Sequence, residues 1–238
     1  MKIRNKKIEL KHILIIILII LIILAIIISI NTYYINNSGS ETLGTNNLGT
    51  VSLEGPFGNI NSSDKIAFII GVHPLESNSH ISLLNYIRNN SEMLNKSYYI
   101  YIINVTKDKN DFDKGRVNGQ LLAKNYVVPD INKKNYNFVV DIHSHRGVYS
   151  EKNFIIAPLN DPLSEEIGIN IIKNIEGLEI LKYIPADDES PTSPDYVSIP
   201  ILKNGTHTII YETYLNESET TTNTFIEKFV NSLDRIKF

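Results

Sequence analysis

Three stretches of the chain place side chains able to hold a metal or move a proton straight after apolar runs. AFIIGVHPLE ends in His73 and Glu76; FVVDIHSHRG carries Asp141, His143, His145 and Arg146; HTIIYETY holds Glu212 within an otherwise apolar run. Two histidines and one carboxylate are the protein ligands expected of a catalytic zinc that keeps its fourth position open for water. Residues three apart in the tight turn after a strand can point at one centre, as His73 and Glu76 would, and the third ligand must then come from a neighbouring strand's end. His143 is so placed. Zinc supplies Lewis acidity and lowers the pKa of a water, which leaves one requirement: a carboxylate to take that water's proton and pass it to a leaving nitrogen. Glu212 suits this role, because a glutamate in mid-strand is otherwise a costly unpaired buried charge.

Each piece alone also has an ordinary reading. A lone H-x-x-E recurs by chance, His73 by itself fits a hydrogen-bonded core or surface histidine, and Glu212 could face solvent or pair with a lysine or arginine. His143 and His145 alternate along one extended segment and are expected to point to opposite sides, so both cannot be assumed to bind one metal. His80 reads as an ordinary helix-start residue. Asp141 could orient either His73 or His143 from behind.

The elements that must position these groups follow from hydrophobic patterning. Strands are expected at Lys65–Val72, Tyr98–Val105, Phe138–His143, Asn153–Ala157, Glu179–Ile184 and Thr206–Tyr214. Helices are expected at His80–Arg88, Lys114–Tyr126, Leu163–Ile175 and Thr224–Ile236. Continuous apolar strands interleaved with helices predict a three-layer α/β/α fold with a mixed, largely parallel central sheet buried on both faces. In such sheets ligands sit beyond the carboxyl ends of the strands, where the three stretches end.

With 238 residues, 42% hydrophobic, the chain is long enough for one substantial core. The net charge of -3, mixed along the chain, leaves no nucleic-acid footprint. The absence of cysteine excludes disulfides, thiolate ligands and a cysteine nucleophile. Residues 13–30, ILIIILIILIILAIIISI, contain one polar residue, Ser29, and follow a flank bearing Lys2, Arg4, Lys6, Lys7 and Lys11. This pattern predicts a basic cytoplasmic tail over 1–12, a transmembrane anchor over 13–30 with the remainder outside, a flexible polar tether over 31–50 and an extracytoplasmic domain over 51–238. A cleaved signal peptide has a shorter apolar region and a small-x-small site, which Ser29-Ile30-Asn31 matches poorly. Asn-x-Ser/Thr sequons, at Asn36, Asn61 and five later positions, suit an outside location.

Together the motifs resemble the zinc carboxypeptidase superfamily, including its succinylglutamate desuccinylase/aspartoacylase branch. IIGVHPLE is similar to that superfamily's strand followed by H-x-x-E, DIHSH to its later strand ending in the third zinc ligand, TIIYETY to the strand bearing its catalytic glutamate, and GPFGN (Gly55 to Asn59) to the segment that opens such domains. The resemblance spans residues 55–214. It implies zinc at His73, Glu76 and His143, and Glu212 as general base. It also implies cations and amides that hold the substrate; DKGRVNGQ offers Arg116 and Asn118, in an arrangement different from the superfamily's Asn-Arg pair, and Arg146 lies beside the third ligand. Tyr183 is the nearest positional match to a substrate-binding tyrosine. The 70 residues between His73 and His143 are fewer than expected of full-sized carboxypeptidases and imply a trimmed domain with a more open site.

The resulting expectation is a membrane-anchored, outward-facing zinc hydrolase that cleaves an amide or peptide bond, acting on a peptide or N-acyl amino acid. The alternatives are an N-acyl amino acid deacylase of desuccinylase/aspartoacylase type and a non-catalytic envelope domain that keeps the fold but binds rather than cleaves.

Overall fold

The computed structural model describes residues 11–27, 39–185 and 192–238. Two units are distinct, residues 1–39 and 40–238. In the first, residues 11–27 form helix α1 with exposed side chains. Among the described residues no helix is long and apolar enough to cross a membrane. The span expected over 13–30 runs past α1 into residues 28–30, which lie outside the described residues, as do 1–10 of the basic tail, 31–38 of the tether and the sequon at Asn36.

The second unit is built on an eight-stranded sheet. Its strands are β1 (Ser40–Asn46), β2 (Gly49–Gly58), β3 (Lys65–Ile70), β4 (Ser97–Val105), β5 (Phe138–His145), β6 (Phe154–Ile156), β7 (Glu179–Leu181) and β8 (Thr208–Tyr214). Their order in the sheet is β1-β2-β4-β3-β5-β8-β6-β7. The centre, β4-β3-β5-β8, is parallel, β6 runs antiparallel to β8 and parallel to β7, and β1 and β2 form an antiparallel edge. The mixed, largely parallel α/β sheet is therefore as the patterning predicts.

The edge hairpin corrects the expected tether. Residues 40–50 are not a flexible linker: β1 pairs with β2 from Ser40↔Glu54 to Asn46↔Gly49, and β2 pairs onward with β4. Polar composition conceals it, because an edge strand needs to bury only one of its faces.

Both faces of the central strands are buried, for a reason visible residue by residue. In β3, Phe68 and Ile70 pack with Leu83, Ile87, Val140, Phe229 and Leu233 under α2 (Ser77–Asn89), α5 (Pro162–Ile172) and α8 (Glu219–Arg235). Ala67 and Ile69 point the other way, to Leu122, Val127, Ile131 and Ile201 under α3 (Phe112–Leu122), α4 (Val128–Ile131) and α7 (Ser198–Lys203). Period-two alternation with apolar residues on both phases thus gives three layers. A one-turn helix, α6 (Ser193–Tyr196), precedes α7. Helix α3 continues through a π-helical turn, residues 123–127, which accounts for the longer helix expected there.

Candidate metal centre

The carboxyl ends of β3, β5 and β8 lie side by side, so residues far apart in the chain arrive at one place. His73 and Glu76 sit in the turn between β3 and α2, where the Glu76 N–H donates to the His73 carbonyl at 3.1 Å. This tight turn aims both side chains at one point. His143 comes from the end of β5. The ligand atoms of the three residues lie within 4.8 Å of one another, and all three residues are buried. His73 Nδ1 is 2.9 Å from Glu76 Oε1 and 3.0 Å from His143 Nδ1, while His143 Nδ1 is 3.1 Å from Glu76 Oε2.

Each ligand is oriented from behind. Asp141 Oδ1 lies 3.0 Å from His143 Nε2, as an ion pair rather than an aligned hydrogen bond. Ser198 Oγ donates to Asp141 Oδ2 at 3.1 Å. The Ser144 N–H donates to Glu76 Oε2 at 2.9 Å, and Gln120 Nε2 stands 3.4 Å from His73 Nε2. With their Nε2 atoms facing these partners, both imidazoles turn Nδ1 toward the shared centre.

Helix α3 delivers Gln120 and Arg116 together because residues four apart share a helix face. Arg116 Nη1 lies 2.7 Å from Glu76 Oε1. The close approach of α3 requires Gly119, where a Cβ would fall 1.9 Å from the carbonyl oxygen of Val72, the residue before His73.

Glu212 reaches the same place through strand register. In the parallel pairing of β5 with β8, His143 stands opposite Glu212 and Ser144 opposite Thr213. Paired residues point to the same side of a sheet, so Glu212 and His143 share one face. Ser144 and Thr213 share the other, where Ser144 Oγ is 2.8 Å from both Thr213 Oγ1 and Ser79 Oγ. Glu212 Oε2 is buried without a hydrogen-bond partner.

The electrostatics follow the packing. Burial and the facing His143 ring lower His73 to about 4, so it is neutral near pH 7. Burial alone raises a carboxyl, yet the His73 and His143 rings hold Glu76 well below its usual range. For His143 burial acts to lower the value, and Asp141 and Glu76 overcome it, raising the ring well above its ordinary value. Burial pushes Glu212 up to about 8, against the pull of His143 and Arg116.

A cavity of about 290 Å³ opens over this cluster. His73, Glu76 and Glu212 line it, with Arg116, Arg146, Phe112 and Tyr149 among its walls. Of the substrate-holding residues expected from sequence, Arg116 and Arg146 are therefore brought to the site and two others are not. Asn118, two positions from Arg116, falls on a different face of α3, and its Nδ2 donates to the Lys107 carbonyl at 2.9 Å. Tyr183 follows β7 and exchanges backbone hydrogen bonds with the Asn160 amide, away from the cavity. Phe112, Gln120, Ser144 and Tyr149 are additional residues of the site; Phe112 and Gln120 could have been found by continuing the four-residue spacing from Arg116. His80 is structural, its Nε2 lying 3.0 Å from the Ile142 carbonyl oxygen. The expectation that His145 points away from His143 is corrected: residues two apart in a strand share a face, and His145 lies one step further out along it, with its ring beside Tyr149 and Phe154.

No family model and no curated protein sequence matches the chain. Solved structures do match. A metallo-carboxypeptidase from Burkholderia cenocepacia superposes with a TM-score of 0.57 at 9% identity, over 87% of this chain and 67% of that one. A metallo-carboxypeptidase from Pseudomonas aeruginosa, in complex with (2-guanidinoethylmercapto)succinic acid, gives 0.54 at 10% identity, over 87% and 67%. The chain has the zinc carboxypeptidase-like fold. The product-bound cell shape determinant protein Csd4 from Helicobacter pylori matches this carboxypeptidase-like domain with a TM-score of 0.53 at 10% identity, over 77% of this chain and 53% of Csd4. The chain thus spans between half and two thirds of these proteins' lengths, in keeping with the short interval between its first and third candidate ligands.

The donor set of the carboxypeptidase-like domain fits zinc. Two imidazole nitrogens and one carboxylate converge in a buried pocket with their outer partners in place, and a further carboxylate lies beside them.

Proposed function

We propose that the carboxypeptidase-like domain is a zinc-dependent hydrolase that cleaves an amide or peptide bond. The observation that carries this reading is the convergence of His73 Nδ1, Glu76 and His143 Nδ1 beside a cavity lined by His73, Glu76 and Glu212. His73, Glu76 and His143 would hold the zinc, which when bound would supply Lewis acidity toward the scissile carbonyl and acidify a water.

The chain's own residues do the rest. Glu212 accepts a proton at its unpartnered Oε2 and passes it to the leaving nitrogen. Asp141 fixes the His143 ring, and Gln120 stands behind His73. Arg116 and Arg146 bind anionic groups of the substrate, while Asn118 and Tyr183, which lie off the cavity, take no part. The likeness to metallo-carboxypeptidases supports a peptide as substrate.

An anchor over residues 13–30 is the second part of the proposal, supported by the apolar run and its basic flank. The full chain is then expected in the membrane fraction, released by detergent and retained in high salt. Release by salt alone contradicts it.

The test of catalysis is hydrolysis of a panel of peptides and N-acyl amino acids by the zinc-loaded chain. Glu212→Gln is expected to lower kcat by about 10²- to 10⁴-fold while zinc content stays unchanged. Zinc binding with no Glu212-dependent activity on any substrate contradicts the hydrolase reading and leaves a binding domain.

A further inference from the structure

Beyond β5 the chain turns through residues 146–152, a short loop on the cavity rim. His145 braces it at both ends. The Gly147 N–H donates to His145 Nδ1 at 3.1 Å, which leaves the proton on Nε2, and Nε2 donates to the Lys152 carbonyl at 2.9 Å. Gly147 has φ +95°, a conformation that L side chains rarely adopt, and lies against the Tyr214 ring. Tyr149 then folds back edge-on to the His145 ring, with centroids 5.1 Å apart, and packs on Phe154 at 4.8 Å. The loop is therefore a built element, and it presents Arg146 and Tyr149 to the cavity.

The two arginines of the cavity differ in what compensates their charge. Both guanidiniums lie against the Phe112 ring, Arg146 at 3.9 Å and Arg116 at 5.0 Å from its centroid. Arg116 is paired with Glu76. Arg146 makes no ion pair among the described residues. A guanidinium stacked on an aromatic face loses little freedom when it takes a carboxylate in its planar fork, and it does so with a geometry that lysine cannot copy. Phe112 thus holds in place a solvent-exposed cation that is free to take an incoming anion. The anion meeting Arg146 is also distinct from any group held at the reacting bond, because Arg116, tied to Glu76, is the cation beside the metal ligands.

We propose that Arg146, held on Phe112 by the His145-braced loop, determines specificity by recognising a second carboxylate on the substrate, so that the residue occupying the cavity is acidic. This rests on the hydrolase reading for the fate of the substrate, though not for its binding.

The test uses the full-length chain with and without zinc, titrated calorimetrically with glutarate and with its monoamide, which lacks one carboxylate. N-benzoylglycyl-glutamate and N-benzoylglycyl-glutamine serve as the matched substrates. Glutarate is expected to bind about tenfold or more tightly than the monoamide, as a charge-assisted bidentate contact provides. Arg146→Gln should bring that ratio near one, Arg146→Lys should retain part of it, and Phe112→Leu should reduce it with zinc content unchanged. A ratio near one in the wild type, or one unchanged in Arg146→Gln, overturns the proposal. Selection of glutarate by a chain that holds no zinc and cleaves neither substrate supports the role of Arg146 while overturning the hydrolase reading. Zinc-dependent hydrolysis with equal kcat/KM for both substrates does the reverse.

Discussion

Asp141 lies beneath His143, fully buried, with one oxygen facing His143 Nε2 and the other accepting from Ser198. A carboxylate so placed fixes the orientation of the imidazole and raises its basicity as a ligand. Asp141→Asn is therefore expected to weaken zinc binding by about 10- to 100-fold, measured by competition with a chromophoric chelator. His80 shows the opposite use of a buried histidine. Burial lowers it to about 4, with Glu76, His143 and Asp141 the charged groups facing it. The unfolded chain takes up this proton below about 6.5 and the folded chain only near 4, so the stabilisation is complete above pH 6.5 and is lost as the pH falls toward 4. The span corresponds to on the order of 3 kcal/mol. Urea unfolding of the chelator-treated chain should weaken over that window, and His80→Gln should flatten the dependence. An unchanged slope would remove His80 from the account.

At the scale of elements, the site depends on how closely α3 approaches the end of β3. Gly119→Ala places a methyl group against the Val72 carbonyl and has to push the helix outward. A cost of roughly 1–3 kcal/mol is expected in thermal or urea unfolding, as for overpacked cores. Zinc affinity should fall as well, because Gln120 leaves His73. A variant as stable as the wild type would show that the helix approach is not constrained there. Sequence patterning exposed most of these elements: β3, β4, β5 and β8 are β-branched and aromatic runs, and the candidate ligands stand at their ends. It did not expose β1 and β2, since Asn, Gly, Ser and Thr dominate residues 40–50, although Val51 and Leu53 alternate with Ser52 and Glu54 as a half-buried strand requires. Asn118 has the chemical type of a substrate-holding amide, but a helix sorts residues by angle, and two positions from Arg116 is the wrong side. Tyr149 was not legible because its position depends on contacts between His145, Phe154 and a glycine turn, none of which leaves a periodic signal.

The whole molecule brings together ligands 70 residues apart because β3 and β5 are neighbours in the sheet. Glu212, a further 69 residues on, arrives because β8 is the next strand. Sheet order thus converts three separate motifs into one centre. A bound zinc would link the β3–α2 turn to β5 and stabilise the folded chain in proportion to the logarithm of its free concentration over Kd. The most direct test is the metal content and thermal stability of the purified full-length chain. One zinc per chain is expected, with a melting temperature lowered by chelation and restored by zinc, and with both effects absent in His73→Ala and His143→Ala. A wild-type chain that takes up no stoichiometric zinc, or one whose zinc survives both substitutions, would contradict the account.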